Sequence, residues 1–128
     1  MAKIQPEKRI LYVDDNASNR RAISLLLKKN DFLVDSAENG LQALAMLEEK
    51  PYHLVITDFE MPLMSGLELL LVIRHKFSKT ELPVITLTSD IDKETIEEFI
   101  QFGANAFVLK VDNLNPLLKK VQELVPLN

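Results

Sequence analysis

Five short apolar runs alternate along the chain with five segments that have the periodicity of amphipathic helices. Such runs, bounded by polar residues, proline or glycine, are typical of buried strands. The predicted strands are Arg9–Val13, Phe32–Ala37, His53–Asp58, Pro83–Leu87 and Asn105–Leu109. Because a crossover between parallel strands places its helix on a face of the sheet, the alternation predicts an α/β fold. We expect one doubly wound, five-stranded parallel sheet with helices on both faces.

Polar and helix-breaking residues mark several of the predicted helix ends. Asn16 or Ser18 is suited to cap the first helix, because a short polar side chain can accept a bond from the backbone of the first turn. Gly103 is predicted to stop the fourth helix in a left-handed conformation. Asn113 is predicted to cap the last helix, with Pro116 in its first turn, where a missing N–H is harmless.

Length and composition are those of a globular domain. The chain has 128 residues, of which 47% are hydrophobic and 27% charged, so we expect one domain over residues 1–128 and no effector domain. The net charge of −4 offers no basic surplus for nucleic acid. The chain has no cysteine for disulfides or thiolate metal sites. Since no apolar run approaches the roughly 20 residues that span a bilayer, we expect a cytoplasmic protein with no membrane contact.

Acidic residues follow the first and third predicted strands. Asp14 and Asp15 come directly after the first strand, and Asp58 ends the third. The carboxyl ends of parallel strands meet at one edge of the sheet, where ligands bind in open α/β folds. Three carboxylates held together repel one another and require a proton or a cation. Oxygen ligands in small number favour Mg²⁺, which takes its remaining ligands from water and a substrate phosphate.

A hydroxyl and an ammonium are predicted at the same edge. Thr88 follows the fourth strand and Lys110 the fifth, and beside a metal they suit phosphoryl oxygens. Asp58 is then the natural nucleophile, since a carboxylate can accept a phosphoryl group as an acyl phosphate. Taken singly, each feature has a simpler explanation: Asp14 and Asp15 could cap a helix, and Lys110 could be a solvated surface charge. The placement of all of them on one edge favours a site.

These residues belong to a larger pattern, which also includes Met61-Pro62, Gly66, Ser89 and the run from Gly103 to Lys110. With this pattern, the chain resembles the receiver domain of two-component response regulators. The resemblance covers nearly the whole chain. It implies a flavodoxin-like sheet in the order 2-1-3-4-5. It also implies a regulatory domain rather than an enzyme, one that catalyses only its own phosphorylation and dephosphorylation.

The resemblance implies that Asp58 accepts phosphate from the phosphohistidine of a histidine kinase or phosphotransfer protein. Mg²⁺ would be bound by Asp15, Asp58 and the backbone carbonyl of Glu60, with Asp14 acting through a metal-bound water. Thr88 and Lys110 would contact the phosphoryl oxygens.

The resemblance also assigns an output. Thr88 and Phe107 would change conformation together on phosphorylation, because about two added negative charges draw the hydroxyl inward and the ring fills the vacated space. The change would alter contacts of the fourth helix, fifth strand and fifth helix with a downstream protein target or effector domain. The resemblance also allows the chain to form a homodimer.

Two departures from the family pattern have consequences. The family usually has a proline, joined by a cis bond, and then an aromatic residue after the active-site lysine, where this chain has Val111 and Asp112. A cis bond before Val111 would cost about 2.5–4 kcal/mol, so we expect a trans bond and a changed orientation of Lys110. Glu60 adds a fourth carboxylate near the site and is predicted to alter the lifetime of the phosphorylated state.

Three other functions fit parts of the pattern. A Mg²⁺-dependent phosphohydrolase also uses an aspartyl-phosphate, but such enzymes commonly have an aspartate where this chain has Glu60, and they carry a cap domain. An FMN carrier shares the architecture, although the acidic opening Asp14-Asp15-Asn16 is hostile to a flavin phosphate. A receiver-like interaction module without phosphotransfer is favoured by Val111 and disfavoured by Thr88 and the complete acidic set.

Overall fold

The computed structural model describes residues 7–89, 92–110 and 113–127. Strands and helices alternate strictly along the chain. The strands are β1 (Arg9–Val13), β2 (Leu33–Ala37), β3 (Leu54–Asp58), β4 (Val84–Thr88) and β5 (Ala106–Leu109). The helices are α1 (Ala17–Lys29), α2 (Gly40–Glu49), α3 (Gly66–Lys76), α4 (Lys93–Gln101) and α5 (Asn115–Leu124). Among the described residues, no helix is long and apolar enough to cross a membrane.

The five strands form one parallel sheet in the order β2-β1-β3-β4-β5, as predicted. β1 and β3 are neighbours at the point where the strand order reverses, so their carboxyl ends border the crevice in which such sheets bind ligands. Four of the five strands begin one residue later than predicted, which is within the usual uncertainty of strand ends.

The core has two layers, one on each face of the sheet. On one face, α1 and α5 pack with Ile23, Leu27, Leu117 and Val121 against the sheet. On the other face, α2, α3 and α4 cover a second cluster that contains Ala43, Leu69, Leu70, Ile73 and Phe99. The central strands are buried from both sides. Two of their polar residues, Asp58 and Thr88, lie at the carboxyl ends of β3 and β4, which face the crevice.

The helix ends agree with prediction in two of three places. Asn16 caps α1 by accepting a bond from the backbone N–H of Asn19, and Gly103 has the left-handed φ of 109° expected of a helix stop. The cap of α5 was wrong by one residue. Leu114 occupies the cap position, while the Asn113 side chain accepts from the backbone N–H of Asn115 at 3.0 Å, a turn that precedes the helix. Pro116 lies in the first turn of α5, as expected.

Candidate functional site

β1 delivers two carboxylates with opposite exposure to the crevice. In a strand, residues two apart share a face, so Asp14 continues the buried face of Ile10 and Tyr12 and is itself fully buried. Asp15 lies after the strand, immediately before the cap of α1, and is exposed. The predicted acidic pair therefore divides into one buried and one solvent-facing carboxylate.

β3 delivers the third carboxylate, and the three meet. Asp58 is the last residue of β3, and its side chain is 14% exposed. Oxygen atoms of Asp14, Asp15 and Asp58 lie within 4.8 Å of one another. A divalent cation that prefers oxygen ligands fits this donor set, because every donor is a carboxylate and one of them is open to solvent.

Lys110 connects the two less exposed carboxylates. Its Nζ atom lies 3.0 Å from Oδ2 of Asp14 and 3.1 Å from Oδ1 of Asp58. Although burial by itself lowers the pKa of Lys110, the hydrogen bond to Asp14 and the charge of Asp58 raise it above its ordinary value. The ammonium group therefore stays charged at neutral pH and is shared between two acids.

The two carboxyl groups that share Lys110 have opposite pKa shifts. Burial raises the pKa of Asp58; the Lys110 charge offsets part of that rise, and the Asp14 charge adds to it. Burial by itself also raises the pKa of Asp14, but hydrogen bonds from Tyr12, Asn16 and Lys110 outweigh it and hold this pKa below its ordinary value. Of these two acids, Asp58 is the one whose ionised form is less stabilised by its surroundings, and perturbed acids of this kind are common at functional sites.

Two polar partners of Asp14 were missed by the sequence analysis. The Tyr12 hydroxyl donates to Oδ2 of Asp14 at 2.5 Å, and the Asn19 side chain donates to the same oxygen at 3.2 Å. Burial, and then the bond to Asp14, raises the pKa of Tyr12, so the phenol remains a donor. The period of a strand could have identified Tyr12, because the residue two positions before Asp14 shares its face.

A cavity of about 590 Å³ opens in front of Asp58. It is lined by Asp58, Phe59, Glu60, Thr88, Ser89, Asp92, Thr95 and Lys110. Thr88 is the buried last residue of β4, and its backbone carbonyl accepts a hydrogen bond from the backbone N–H of Lys110 at 2.5 Å. The structure therefore brings the predicted Thr88, Lys110 and exposed Glu60 to the same cavity. Asp92 and Thr95, at the start of α4, were not singled out from the sequence.

Phe107 is joined to the site by aromatic contacts. It lies half-buried in β5, with its ring centroid 5.8 Å from that of Phe99 in α4. Phe99 in turn lies 5.2 Å from Phe59, the residue after Asp58, and both pairs have edge-to-face geometry. The predicted switch residue thus contacts α4, and through Phe99 the loop that follows Asp58. Val111 and Asp112, and with them the predicted trans bond, lie outside the described residues.

The sequence matches the family model of the response regulator receiver domain over residues 10–122, which is most of the chain. The chain therefore belongs to the receiver domains of response regulators, the signalling domains of two-component systems.

Particular relatives cover the chain almost completely. The chemotaxis protein CheY-3 of Vibrio cholerae is 34% identical over 124 residues, which are 96% of this chain and 95% of that protein. The structure of the response regulator TrrA of Thermotoga maritima, in complex with Mg²⁺-BeF, has a TM-score of 0.82 and 36% identity, and the match covers 92% of this chain and 99% of that one. The receiver domain of Ssk1 from Saccharomyces cerevisiae, crystallised with the histidine phosphotransfer protein Ypd1, has a TM-score of 0.82 and 27% identity, covering 94% and 90%.

Proposed function

We propose that this receiver domain accepts a phosphoryl group on Asp58 from the phosphohistidine of a histidine kinase or phosphotransfer protein, with Mg²⁺ bound at the acidic cluster. One observation carries the proposal. Three carboxylates from β1 and β3 lie within 4.8 Å of one another, and Lys110 contacts Asp58 at 3.1 Å beside an open cavity. Capping residues or surface charges have no reason to converge in this way.

The residues around Asp58 fit a bound Mg²⁺. Asp15, Asp58 and the backbone carbonyl of Glu60 would hold the ion, and Asp14 would act through one of its waters. The ion would neutralise the charge of the phosphoryl oxygens, which is its usual contribution in phosphoryl transfer.

The chain's own residues would then perform the transfer. An oxygen of Asp58 attacks the phosphorus, the P–N bond to the donor histidine breaks, and the electron pair leaves with the imidazole. Lys110 and Thr88 contact the oxygens of the transferred group, so Lys110 exchanges a carboxylate partner for a phosphoryl oxygen. Water later hydrolyses the acyl phosphate and releases inorganic phosphate.

The output would be a change in protein contacts. Thr88 and Phe107 are the proposed switch, and the surface of α4, β5 and α5 is the proposed contact face for a downstream protein or effector domain. The contacts from Phe59 through Phe99 to Phe107 support this assignment, because they connect the loop after Asp58 with that surface.

Treatment with acetyl phosphate tests the proposal. We expect one phosphoryl group per chain by intact mass, dependent on Mg²⁺ and absent in Asp58→Asn. Asp35→Asn is the matched control, because Asp35 is a half-buried carboxylate that pairs with Arg9 and Tyr52 away from the site. Modification of Asp58→Asn to the wild-type extent would contradict the proposal. Multiple turnover of a phosphomonoester would favour the phosphohydrolase alternative instead.

A further inference from the structure

Tyr12 places a phenol hydroxyl inside the site, where the proposed reaction does not use it. The side chain is fully buried in the layer covered by α1 and α5. Its hydroxyl donates to Oδ2 of Asp14 at 2.5 Å. A tyrosine in a hydrophobic core needs a partner for its hydroxyl, but this partner is a member of the acidic cluster.

The oxygen that Tyr12 contacts is also the oxygen that binds Lys110. Oδ2 of Asp14 accepts from the Lys110 ammonium at 3.0 Å and from the Asn19 side chain at 3.2 Å, in addition to Tyr12. Oδ1 accepts from the backbone N–H of Asn16 at 3.0 Å. A carboxylate has about four acceptor positions, so the donors in this structure occupy nearly all of its capacity.

Because Tyr12 and Lys110 donate to the same oxygen of Asp14, the Tyr12 bond also affects Asp58. Lys110 lies almost midway between Asp14 and Asp58, at 3.0 and 3.1 Å. Each donor that shares an oxygen withdraws charge from it and weakens its bonds to the others. Tyr12 therefore weakens the bond between Asp14 and Lys110, so the ammonium is bound less exclusively by Asp14 and can also interact with Asp58. It also reduces the negative charge that the cluster presents to a cation.

We infer that Tyr12 is a positioning residue for phosphorylation, which acts through Asp14. Its hydrogen bond keeps Lys110 available to the phosphoryl group at Asp58, and it makes the acidic cluster a weaker Mg²⁺ site than the carboxylates alone would form. This inference rests on the proposed function, since it concerns the same cation and the same reaction.

Tyr12→Phe tests the inference with little disturbance of the core. The ring remains, and Asp14 keeps three of its four donors. We expect Mg²⁺ to bind about threefold to tenfold more tightly, the effect of one hydrogen bond to a carboxylate. At saturating Mg²⁺, we expect phosphorylation by acetyl phosphate to slow by a similar factor, because Asp14 retains Lys110. A merely structural defect would weaken both properties, so the opposed changes are diagnostic.

The other tyrosine of the chain provides the matched control. Tyr52 donates its hydroxyl to Asp35 at 2.7 Å, also at a carboxylate but away from the acidic cluster. Tyr52→Phe should leave Mg²⁺ affinity and phosphorylation rate unchanged. Because the chain has two tyrosines and no tryptophan, this variant also makes Tyr12 the only tyrosine reporter. We expect its fluorescence to change as Mg²⁺ is added.

The outcomes distinguish a failure of the Tyr12 role from a failure of the proposed function. Mg²⁺ affinity in Tyr12→Phe equal to or weaker than in the wild type would overturn the role of Tyr12, while the proposed function would stand. If Tyr12→Phe does not fold, the test is the fluorescence of Tyr12 in Tyr52→Phe. Fluorescence that does not change when Mg²⁺ binds would also overturn the role of Tyr12. A wild-type chain that binds no Mg²⁺ would instead overturn the proposed function, and this inference with it.

Discussion

The surroundings of Asp58 stabilise its negative charge less well than those of Asp14 stabilise the charge of Asp14. The pKa of Asp58 is raised, first by burial, whereas the pKa of Asp14, which has a carboxylate oxygen within 4.8 Å of one of Asp58, is lowered by its donors. Both acids share the single ammonium group of Lys110. Folding therefore places an ionised Asp58 where it is less stable than in water. The ionised carboxylate of the proposed nucleophile thus lowers the free energy of unfolding.

Removal of the Asp58 charge is expected to stabilise the protein. A carboxyl whose folded pKa is raised above the unfolded value of 3.8 destabilises the fold when ionised, and this penalty disappears as the pH falls through both values. Near neutral pH and without Mg²⁺, Asp58→Asn should raise the thermal midpoint by about 2–5 °C. The gap should close towards acid pH, and Mg²⁺ should raise the midpoint of the wild type alone.

Asp35→Asn is the control with the opposite sign. Although burial raises the pKa of Asp35, the Tyr52 hydroxyl and the charges of Arg9 and Lys50 lower it overall, so its ionised form stabilises the fold above the ordinary pKa. This variant should lower the midpoint at neutral pH. Calorimetry that finds Asp58→Asn no more stable than the wild type without Mg²⁺ would contradict the charge imbalance.

Glu60 is expected to shorten the life of the phosphorylated state. It is exposed and lines the cavity in front of Asp58, where a carboxylate can accept a proton from an attacking water. Glu60→Asn should therefore slow dephosphorylation about twofold to tenfold, a modest share of the usual general-base effect. Release of inorganic phosphate after removal of acetyl phosphate measures the rate. Glu97→Gln, an exposed carboxylate of α4, is the control, and unchanged kinetics in Glu60→Asn would refute the prediction.

Convergence of the carboxylates could be predicted from the sequence, while their hydrogen bonds could not. Asp14 directly follows β1 and Asp58 ends β3, and the sheet order alone brings them together. The choice of partners by Lys110 depends on side-chain conformations and on the depth of burial, which the spacing of residues does not encode. The two-residue spacing of Tyr12 and Asp14 does place them on one face of β1, but whether they form a hydrogen bond depends on those conformations as well.

Among the elements, the loop from β3 to α3 depends on a close approach at Gly66. A Cβ atom at this position would overlap the backbone carbonyl oxygen of Asp58 and lie 3.2 Å from backbone atoms of Phe59. The Gly66 N–H also donates to the Phe59 carbonyl at 2.9 Å. The start of α3 is thus packed directly on the residue that carries the proposed nucleophile, which gives the sequence motif around Gly66 a steric reason.

Gly66→Ala should therefore damage stability and site together. The backbone contacts cannot move as a flexible side chain could, so we expect a loss of about 1–3 kcal/mol in urea unfolding, as for other overpacked sites. Mg²⁺ affinity should fall, because Asp58 must shift. Gly40→Ala is the control, since the three nearest atoms to its Cβ would be side-chain atoms of Met64, at 2.7–2.9 Å, and not backbone atoms next to Asp58. Wild-type unfolding and Mg²⁺ affinity in Gly66→Ala would contradict this account.

At the turn between α4 and β5, the backbone conformation could be predicted from the sequence, but the contacts that hold the turn could not. Gly103 was predicted as a left-handed stop and has a φ of 109°. No sequence pattern indicates that Arg74 of α3 holds this turn by donating to the Gly103 carbonyl at 2.8 Å and to the Asn105 side chain at 2.9 Å. Local backbone preferences are recorded in residue type, whereas a contact between distant segments requires the fold.

At the scale of the whole molecule, the fold follows from periodicity and chain connectivity. Short apolar strands that alternate with helices permit few arrangements, and the strand order agrees with the one expected from the family resemblance. The consequence for function is that four strand ends supply one crevice. Asp14, Asp58, Thr88 and Lys110 come from β1, β3, β4 and β5 or directly follow them, so a charge added at Asp58 acts on the whole carboxyl edge of the sheet.

A nuclear magnetic resonance titration with beryllofluoride and Mg²⁺ tests the central claim most directly, because the phosphoryl mimic can bind only where the carboxylates, the hydroxyl and the ammonium meet. In the wild type, we predict saturable shifts at Asp58, Thr88, Phe107 and Lys110 that require both components, and no such response in Asp58→Asn. A wild-type spectrum unchanged by the mimic, or the same shifts in Asp58→Asn, would contradict the account.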